Sequence, residues 1–574
     1  MKRILFLLLL LGCTSASVPR EPVHIVIVGT TDVHGRFDVQ TADEIPSGGL
    51  ALLASYVSAL RKANGGRVVV VDSGDVFQGT LESNLFEGEP IVHAYNAIGY
   101  HAVAVGNHEF DYGPAGPAAI PKSPSDDPLG ALKRNAALAR FKFLSANMVE
   151  KSTGKTPAWA LPSALLDVAG IRLGVIGLTT PDTPNVTMKQ NVTTLEFTDP
   201  VAATIREAQA LRQRGADAVI AIAHIGGRCT DQRDPADTSS CEPDSHSIQL
   251  LRALPAGTID AFFGGHTHSY TRHVVSGVPM LQSGAYSRSF AALDLWVDPN
   301  ENRVVRSSLR EHTNLCSEVW AGTDSCDSRR KPAGGTRAPR IYEGQTISRD
   351  AAVDAILRPY LQKVEEKKNE PTGIRTSARM PRRYQEESVL GNVLTDALRS
   401  AMKTDIAVLN SGGIRDHLRA GELRYRDIFE VLPFDNYPTV IRLTGAEIEE
   451  MLQVTTSGSR GVLQVSGLKY TYDASKDAGL PEEKRRRLVS VTLPDGRPLQ
   501  PDAMYTVATV DFVAAGGEGL GPLFGRLPAD RFEWRYDLPP LRDVVIPVLR
   551  AMPQPLEPRI EGRITALNHT EQER

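Results

Sequence analysis

Residues 101–111 read HAVAVGNHEFD: a short apolar run, a glycine, then an amide, an imidazole and two carboxylates within five residues. An unbroken apolar run of that length suits a strand covered on both faces, as in an α/β or layered-sheet protein. The polar residues then fall where the strand leaves the sheet, the edge at which open α/β sheets place their sites. The pattern recurs along the chain. Val23–Val28 leads into Thr31-Asp32-Val33-His34-Gly35, and Val68–Val71 into Asp72-Ser73-Gly74-Asp75. Ala218–Ala223 leads into His224, and Ile259–Phe263 into Gly264-Gly265-His266-Thr267-His268; Ile171–Leu178 is a further apolar run. A lone Asp-x-His is more often a loop pair than a ligand pair. Five such motifs in one topological position, in a chain with 13 histidines, point to a metal site. The glycines fit turns whose backbone must approach a ligand closely.

The ordered series Asp-x-His, Gly-Asp, Gly-Asn-His-Glu, His, Gly-His-x-His resembles the metallophosphoesterase superfamily. The form Gly106-Asn107-His108-Glu109-Phe110-Asp111, joined to the C-terminal motifs below, is similar to the 5′-nucleotidase family within it, over residues 23–566. The resemblance implies a layered α/β/β/α sheet sandwich holding two divalent metal ions. Asp32, His34 and His268 would bind one ion, Asn107, His224 and His266 the other, and Asp75 would bridge them. His108 would sit beside the phosphate as acid or charge stabiliser, with Asp111 orienting its imidazole, since a carboxylate behind a histidine fixes its tautomer. Oxygen ligands mixed with imidazoles suit Zn²⁺, Mn²⁺, Co²⁺ or Fe without choosing among them. Two ions about 3.5–4 Å apart can stabilise both the attacking and the leaving oxygen. A coordinated water can have its pKa lowered to about 7, so a metal-bound hydroxide can attack and no protein nucleophile is required. Asp72 reads equally as structural or as a support for the ligands. His24, His93, His101, His246, His273, His312, His417 and His569 match no motif and read as structural.

A second region, residues 370–566, has its own mixture of strands and helices, an α+β domain. Its expected strand Asp405–Leu409 precedes Asn410-Ser411-Gly412-Gly413-Ile414-Arg415; Pro433-Phe434-Asp435-Asn436 and Asp511-Phe512 through Gly516-Gly517-Glu518-Gly519 follow. Each alone is a strand–turn or a glycine-rich bend. In this order they look like the nucleotide-recognition domain of 5′-nucleotidases, which implies substrate contacts from Asn410, Gly413 and Arg415 and a base clamp of Phe434 and Phe512. Glu518 stands where the family often has Asp for the ribose hydroxyls. Glu386 aligns with a phosphate-contacting Arg of some members, and Arg382 and Arg383 lie close enough to compensate.

The 574 residues exceed one core, so two domains are expected: 22–326, then a polar linker and connecting helix over 327–369, then 370–566 with a tail at 567–574. Helical periodicity runs from Asp350 to Lys368, with Pro359 as a point of kinking or splitting. Lys2 and Arg3 precede an apolar run from Ile4 to Leu11, far short of the roughly 20 residues of a membrane span. Leu10-Leu11-Gly12-Cys13 resembles the bacterial lipobox, which implies a signal peptide over 1–12 and a lipid on Cys13; cleavage after Ala16 is the alternative. Thr14 after Cys13 favours the periplasmic face of the outer membrane. The remaining Cys229, Cys241, Cys316 and Cys326 suit an oxidising compartment, and closeness favours Cys229–Cys241 and Cys316–Cys326. Zinc is the rival, but no pair has knuckle spacing.

Net charge is −4, or −6 without the leader, which gives no basic surface for a nucleic-acid polymer and leaves a small nucleotide as the expected partner. The favoured reading is an exported phosphoesterase acting on nucleoside 5′-monophosphates. A 2′,3′-cyclic-nucleotide phosphodiesterase with 3′-nucleotidase activity shares the metal site. A nucleotide-binding lipoprotein without turnover would be expected to have lost a ligand, and none is lost. Oligomeric state is open.

Overall fold

The computed structural model describes residues 21–568 except Ala42, Ser459 and Arg460. The lipobox expectation and Cys13 lie outside the described residues. The strand Val23–Thr30 shows why the apolar runs are unbroken. Its Ile25 and Ile27 enter one core and its Val26 and Val28 another, and Val69/Val71 and Val68/Val70 divide the same way. Successive side chains leave opposite faces of a strand, so a sheet buried on both sides needs apolar residues at every position.

Two sheets result. One runs Arg303–Leu309, Ser289–Asp298, Val23–Thr30, Val68–Asp72, Ala102–Ala104, Lys142–Leu144; the other runs Tyr270–Val275, Val278–Ser283, Ala261–Phe263, Ala218–His224, Ile171–Thr179, Ser163–Val168. They pack face to face through Ile25, Ile27, Val71, Leu173, Ile220, Ile222 and Phe263. Helices Leu50–Ala63 and Glu89–Ile98 cover the first sheet, and Pro200–Gln213 and His246–Ala253 cover the second. This is the expected α/β/β/α sandwich. Val23–Thr30, Val68–Asp72 and Ala102–Ala104 are parallel neighbours, as are Ile171–Thr179, Ala218–His224 and Ala261–Phe263. All five motif-bearing ends therefore emerge at one edge.

The stretch 327–340, expected as a linker or loop, is mostly loop but ends in a strand. Arg337–Pro339 pairs antiparallel with Glu318–Trp320, closing a small core of Ile45, Val319, Trp320 and the Cys316–Cys326 disulfide. Arg340 is buried and donates to the Asp324 carbonyl at 3.0 Å. Polar composition concealed a hairpin held by a disulfide and one buried tryptophan. The helix begins as expected, at Ala351, with Asp350 Oδ1 accepting from Ala352 and Val353 N–H at 3.0 Å. Pro359 does not split it: the helix runs through to Asn369. Its Val353 and Leu357 enter the first domain's core and its Val364 enters the second's.

The second domain centres on a sheet ordered Leu463–Ser466, Ile406–Asn410, Met504–Val510, Pro438–Thr444, Phe532–Trp534. Helices Val389–Met402 and Gly445–Ser457 pack on it, the latter opened by a Thr444–Glu447 capping box. Among the described residues no helix is long and apolar enough to cross a membrane.

Candidate functional site

The turns at the sheet edge are built at a conformational cost. Asp32, His34, Asp75, His266 and His268 all have positive φ, between 49° and 75°. Non-glycine residues are held in that region only where their surroundings over-determine them, at about 1–3 kcal/mol each. Here the surroundings are the turns themselves. Asp32 N–H donates to the Gly74 carbonyl and His34 N–H to the Asp75 carbonyl, both at 2.9 Å. His266 N–H reaches Asp32 Oδ1 at 3.0 Å, and His108 N–H reaches Asp75 Oδ1 at 2.8 Å. Gly106 is needed for the close approach, because a Cβ there would lie 2.2 Å from Asp75 Oδ1.

The imidazoles are aimed from behind. His34 Nδ1 donates to the Gln78 carbonyl at 2.8 Å and His224 Nδ1 to the Ser73 carbonyl at 2.9 Å, which turns both Nε2 atoms inward. His34 Nε2 lies 3.0 Å from His268 Nε2, which is 3.4 Å from Asp32 Oδ1. His224 Nε2 lies 2.9 Å from Asp75 Oδ2 and 3.2 Å from His266 Nδ1. The same Asp75 oxygen is 3.8 Å from His34 Nε2, so one carboxylate spans two clusters: Asp32/His34/His268 and Asp75/His224/His266. Asn107 Nδ2 donates to the Val186 carbonyl at 3.0 Å, while its buried Oδ1 accepts nothing among the described residues. An orphaned buried acceptor costs about 1–3 kcal/mol unless something fills its lone pairs. Inward nitrogen lone pairs, carboxylate oxygens and that amide oxygen together make a donor set fitted to cations.

Electrostatics tell the same story. Burial pushes the Asp32 carboxyl up to about 7, and pushes His34 down to about 3 and His266 to about 4. Burial also disfavours charge on Asp75, but His224 and His108 hold it well below the usual carboxylate range. His224 would likewise be lowered by burial, yet Asp75 raises it to about 9. Lone pairs this crowded need positive charge among them.

His108 stands at the rim. Burial opposes its charge, but Asp111 and then Asp75 raise it to about 10. Its Nδ1 is 2.5 Å from Asp111 Oδ2, and Asp111 Oδ1 accepts from Thr187 Oγ1 at 2.7 Å. About a third of the imidazole (32 %) remains exposed. Asp72 faces away: it accepts from Gly74 N–H at 2.8 Å, Tyr95 Oη at 2.8 Å and Thr30 Oγ1 at 2.5 Å, so it braces the turn. Glu109 escaped the sequence reading. Fully enclosed, it accepts from Gly106 and Asp75 N–H at 2.6 and 2.9 Å on one oxygen and from Val76 N–H at 2.7 Å on the other.

On the second domain, Asn410 Nδ2 donates to Glu518 Oε1 at 2.8 Å. Arg415 donates to the Gly412 carbonyl at 3.1 Å, with its guanidinium 5.9 Å from the Phe434 ring. A Cβ on Gly413 would lie 2.8 Å from Asn410 Oδ1. Phe434 and Phe512 are each 47 % exposed, unusual for phenylalanine and contrary to simple core packing. Next to Phe434, Asp435 pairs with buried Arg542 and accepts from Asn84 of the first domain. Asn84 Oδ1 accepts from Tyr112 Oη at 3.0 Å, one residue from Asp111. Glu386 pairs with Arg383 at 3.4 Å, and Arg382 donates to the Ile414 carbonyl at 3.2 Å. Cys229–Cys241 and Cys316–Cys326 are disulfides, as closeness suggested.

Residues 25–270 match the family model of the calcineurin-like phosphoesterases, and residues 366–526 match that of the 5′-nucleotidase C-terminal domain. A 5′-nucleotidase of Vibrio cholerae is 28 % identical over 540 residues, covering 89 % of each chain. Protein UshA of Escherichia coli is 28 % identical over 526 residues, covering 86 % of each. The crystal structure of a 5′-nucleotidase precursor from Thermus thermophilus superposes with a TM-score of 0.61 at 24 % identity, covering 95 % of this chain and 100 % of that one. With its metal-competent edge and its second domain in this order, the chain belongs to the 5′-nucleotidase family of the metallophosphoesterase superfamily, and it is a metal-dependent phosphoric ester hydrolase.

Proposed function

We propose that the chain hydrolyses nucleoside 5′-monophosphates to nucleoside and phosphate at a site shared by its two domains. One observation carries the reading: two half-exposed phenylalanines stand on the second domain, and the loop of one is tied through Asp435 and Asn84 to the segment that holds Asp111. A phosphate at the sheet edge would leave its base within reach of aromatic faces. Two divalent cations are assigned, one to Asp32, His34 and His268, the other to Asn107, His224 and His266, with Asp75 between them. When bound, they supply positive charge for the phosphoryl oxygens and lower the pKa of water. His108 donates a proton to the leaving alkoxide, and Asp111 fixes its ring and stabilises its cation. Arg415 and Asn410 border the substrate, and Glu518 takes the sugar.

The test is initial rates of purified, metal-loaded protein on AMP, 3′-AMP, 2′,3′-cyclic AMP and nitrophenyl phosphate. The highest kcat/KM is expected for AMP. A preference for the cyclic and 3′ substrates would replace the proposal with the phosphodiesterase reading, and binding without turnover would leave a nucleotide-binding protein. We also assign residues 1–12 to a leader and Cys13 to lipidation at the periplasmic face of the outer membrane, on the strength of Leu10-Leu11-Gly12-Cys13. Cys13→Ser should leave the membrane fraction or fail to be processed; unchanged membrane association would overturn the anchor.

A further inference from the structure

The turn that follows Ile406–Asn410 carries a bare patch of backbone at Gly412. A Cβ added there would lie 3.2 Å from Tyr384 Oη, 3.5 Å from Glu518 Oε1 and 3.7 Å from Asn410 Nδ2. Three polar atoms from three separate segments thus converge over one glycine. Tyr384 is not placed there by chance of a floppy side chain. Its carbonyl accepts from Val462 N–H at 2.9 Å, and its ring lies on Gly461, whose φ is +95° and where a Cβ would come within 2.9 Å of the ring. The Arg382 guanidinium stands 5.8 Å from the ring centroid on an anchor of its own, a hydrogen bond to the Ile414 carbonyl. The ring is held, yet 39 % of the residue is exposed.

Glu518 is held more tightly still. Its backbone is left-handed (φ 57°, ψ 22°), a conformation a glutamate keeps only under constraint. Oε1 is occupied by Asn410, while Oε2 is buried and accepts no hydrogen bond among the described residues. An ionised carboxylate only accepts, so the missing partner is a donor, and a second phosphate is excluded by like charge. The neighbouring tyrosine hydroxyl both donates and accepts. A carboxylate oxygen beside a phenol suits a vicinal diol: one hydroxyl donates to the acid, and its neighbour pairs with the phenol. Arg415 links this patch to the clamp, since it donates to the Gly412 carbonyl while lying over Phe434.

We propose that Tyr384 is a specificity-determining residue, reading one hydroxyl of the substrate's ribose while Glu518 reads the other. The inference deepens the nucleotide reading above and rests on it. The experiment compares kcat/KM for AMP, 2′-deoxy-AMP, 3′-deoxy-AMP and nitrophenyl phosphate on the full, metal-loaded chain, wild type against Tyr384→Phe. Each preference is a ratio within one preparation, so loss of folded enzyme cancels. The wild type is expected to prefer AMP to both analogues. In Tyr384→Phe, one of the two preferences should shrink roughly 2- to 12-fold, the worth of one hydrogen bond between neutral groups, and the other should hold. If Tyr384→Phe hydrolyses AMP with both preferences unaltered, the assignment to Tyr384 is wrong while the nucleotide reading stands. If the wild type prefers nitrophenyl phosphate to every nucleotide, the nucleotide reading falls and takes this assignment with it.

Discussion

Asp75 Oδ2 faces imidazoles from two different segments, His224 at 2.9 Å and His34 at 3.8 Å, and that double contact makes it the sharpest test of the metal assignment. Asp75→Asn keeps the shape, and asparagine is among the residues most tolerant of the left-handed φ of 58° found there. What changes is charge: an amide offers one neutral oxygen where the carboxylate offers two anionic ones. The variant should stay folded, lose at least one metal ion by elemental analysis and lose several orders of magnitude in turnover. Full metal content with near-normal rates would remove the bridging role. His108 predicts the converse. Its Nδ1 is committed to Asp111 and its ring is partly open, so His108→Asn should keep both metals and lower kcat roughly 10²–10⁴-fold. The loss should shrink on nitrophenyl phosphate, whose leaving group needs no proton; equal losses on both esters would point to phosphate positioning instead.

At the scale of elements, the strands were legible and the turns were legible only in part. Val23–Thr30 and its neighbours advertise themselves because burial on both faces requires apolar residues without alternation. The strand Arg337–Pro339, inside the expected linker or loop, is illegible for the complementary reason: its partner Glu318–Trp320 and the small core around Ile45 are not visible from a polar stretch with prolines and glycines. Glu109 stands between these cases. Its motif was read for the Asn and His, but its role depends on N–H groups of Asp75, Val76 and Gly106, which only the folded turns bring together. Glu109→Ala would orphan three buried donors at about 1–3 kcal/mol each, less whatever water recovers. Thermal unfolding of the metal-free protein should shift down by several degrees, and metal affinity should fall with it because Asp75 and Gly106 lose their brace. Glu109→Gln, able to accept from part of the set, should fall between. Unchanged melting and metal content in the alanine variant would show that the turns hold themselves.

Across the whole molecule, two cores share one helix: Val353 and Leu357 belong to the first, Val364 to the second, and the continuous run through Pro359 makes that helix a strut. The docking is specific. Leu81 of the first domain is buried in the second domain's core, Lys368 pairs with Glu82, and Asn84 holds Asp435. None of these contacts has a sequence signature, because each joins residues hundreds of positions apart. The division of labour proposed above, phosphate chemistry on one core and base recognition on the other, can be tested at Phe434. If its exposed ring stacks on the base, it contributes on the order of 1–3 kcal/mol, as aromatic platforms do. Phe434→Ala should then raise KM for AMP roughly 5- to 150-fold. Nitrophenyl phosphate has no base to reach the second domain, so the ratio of kcat/KM for AMP over nitrophenyl phosphate should fall by a similar factor. Were Phe434 a packing residue, truncation would cost roughly 3–5 kcal/mol of stability and depress both substrates together. Its exposure argues against that, and melting temperature measured beside the ratio separates the two. A ratio that stays put would leave the second domain without a demonstrated hold on the base, and the chain would be a phosphomonoesterase indifferent to what its phosphate carries.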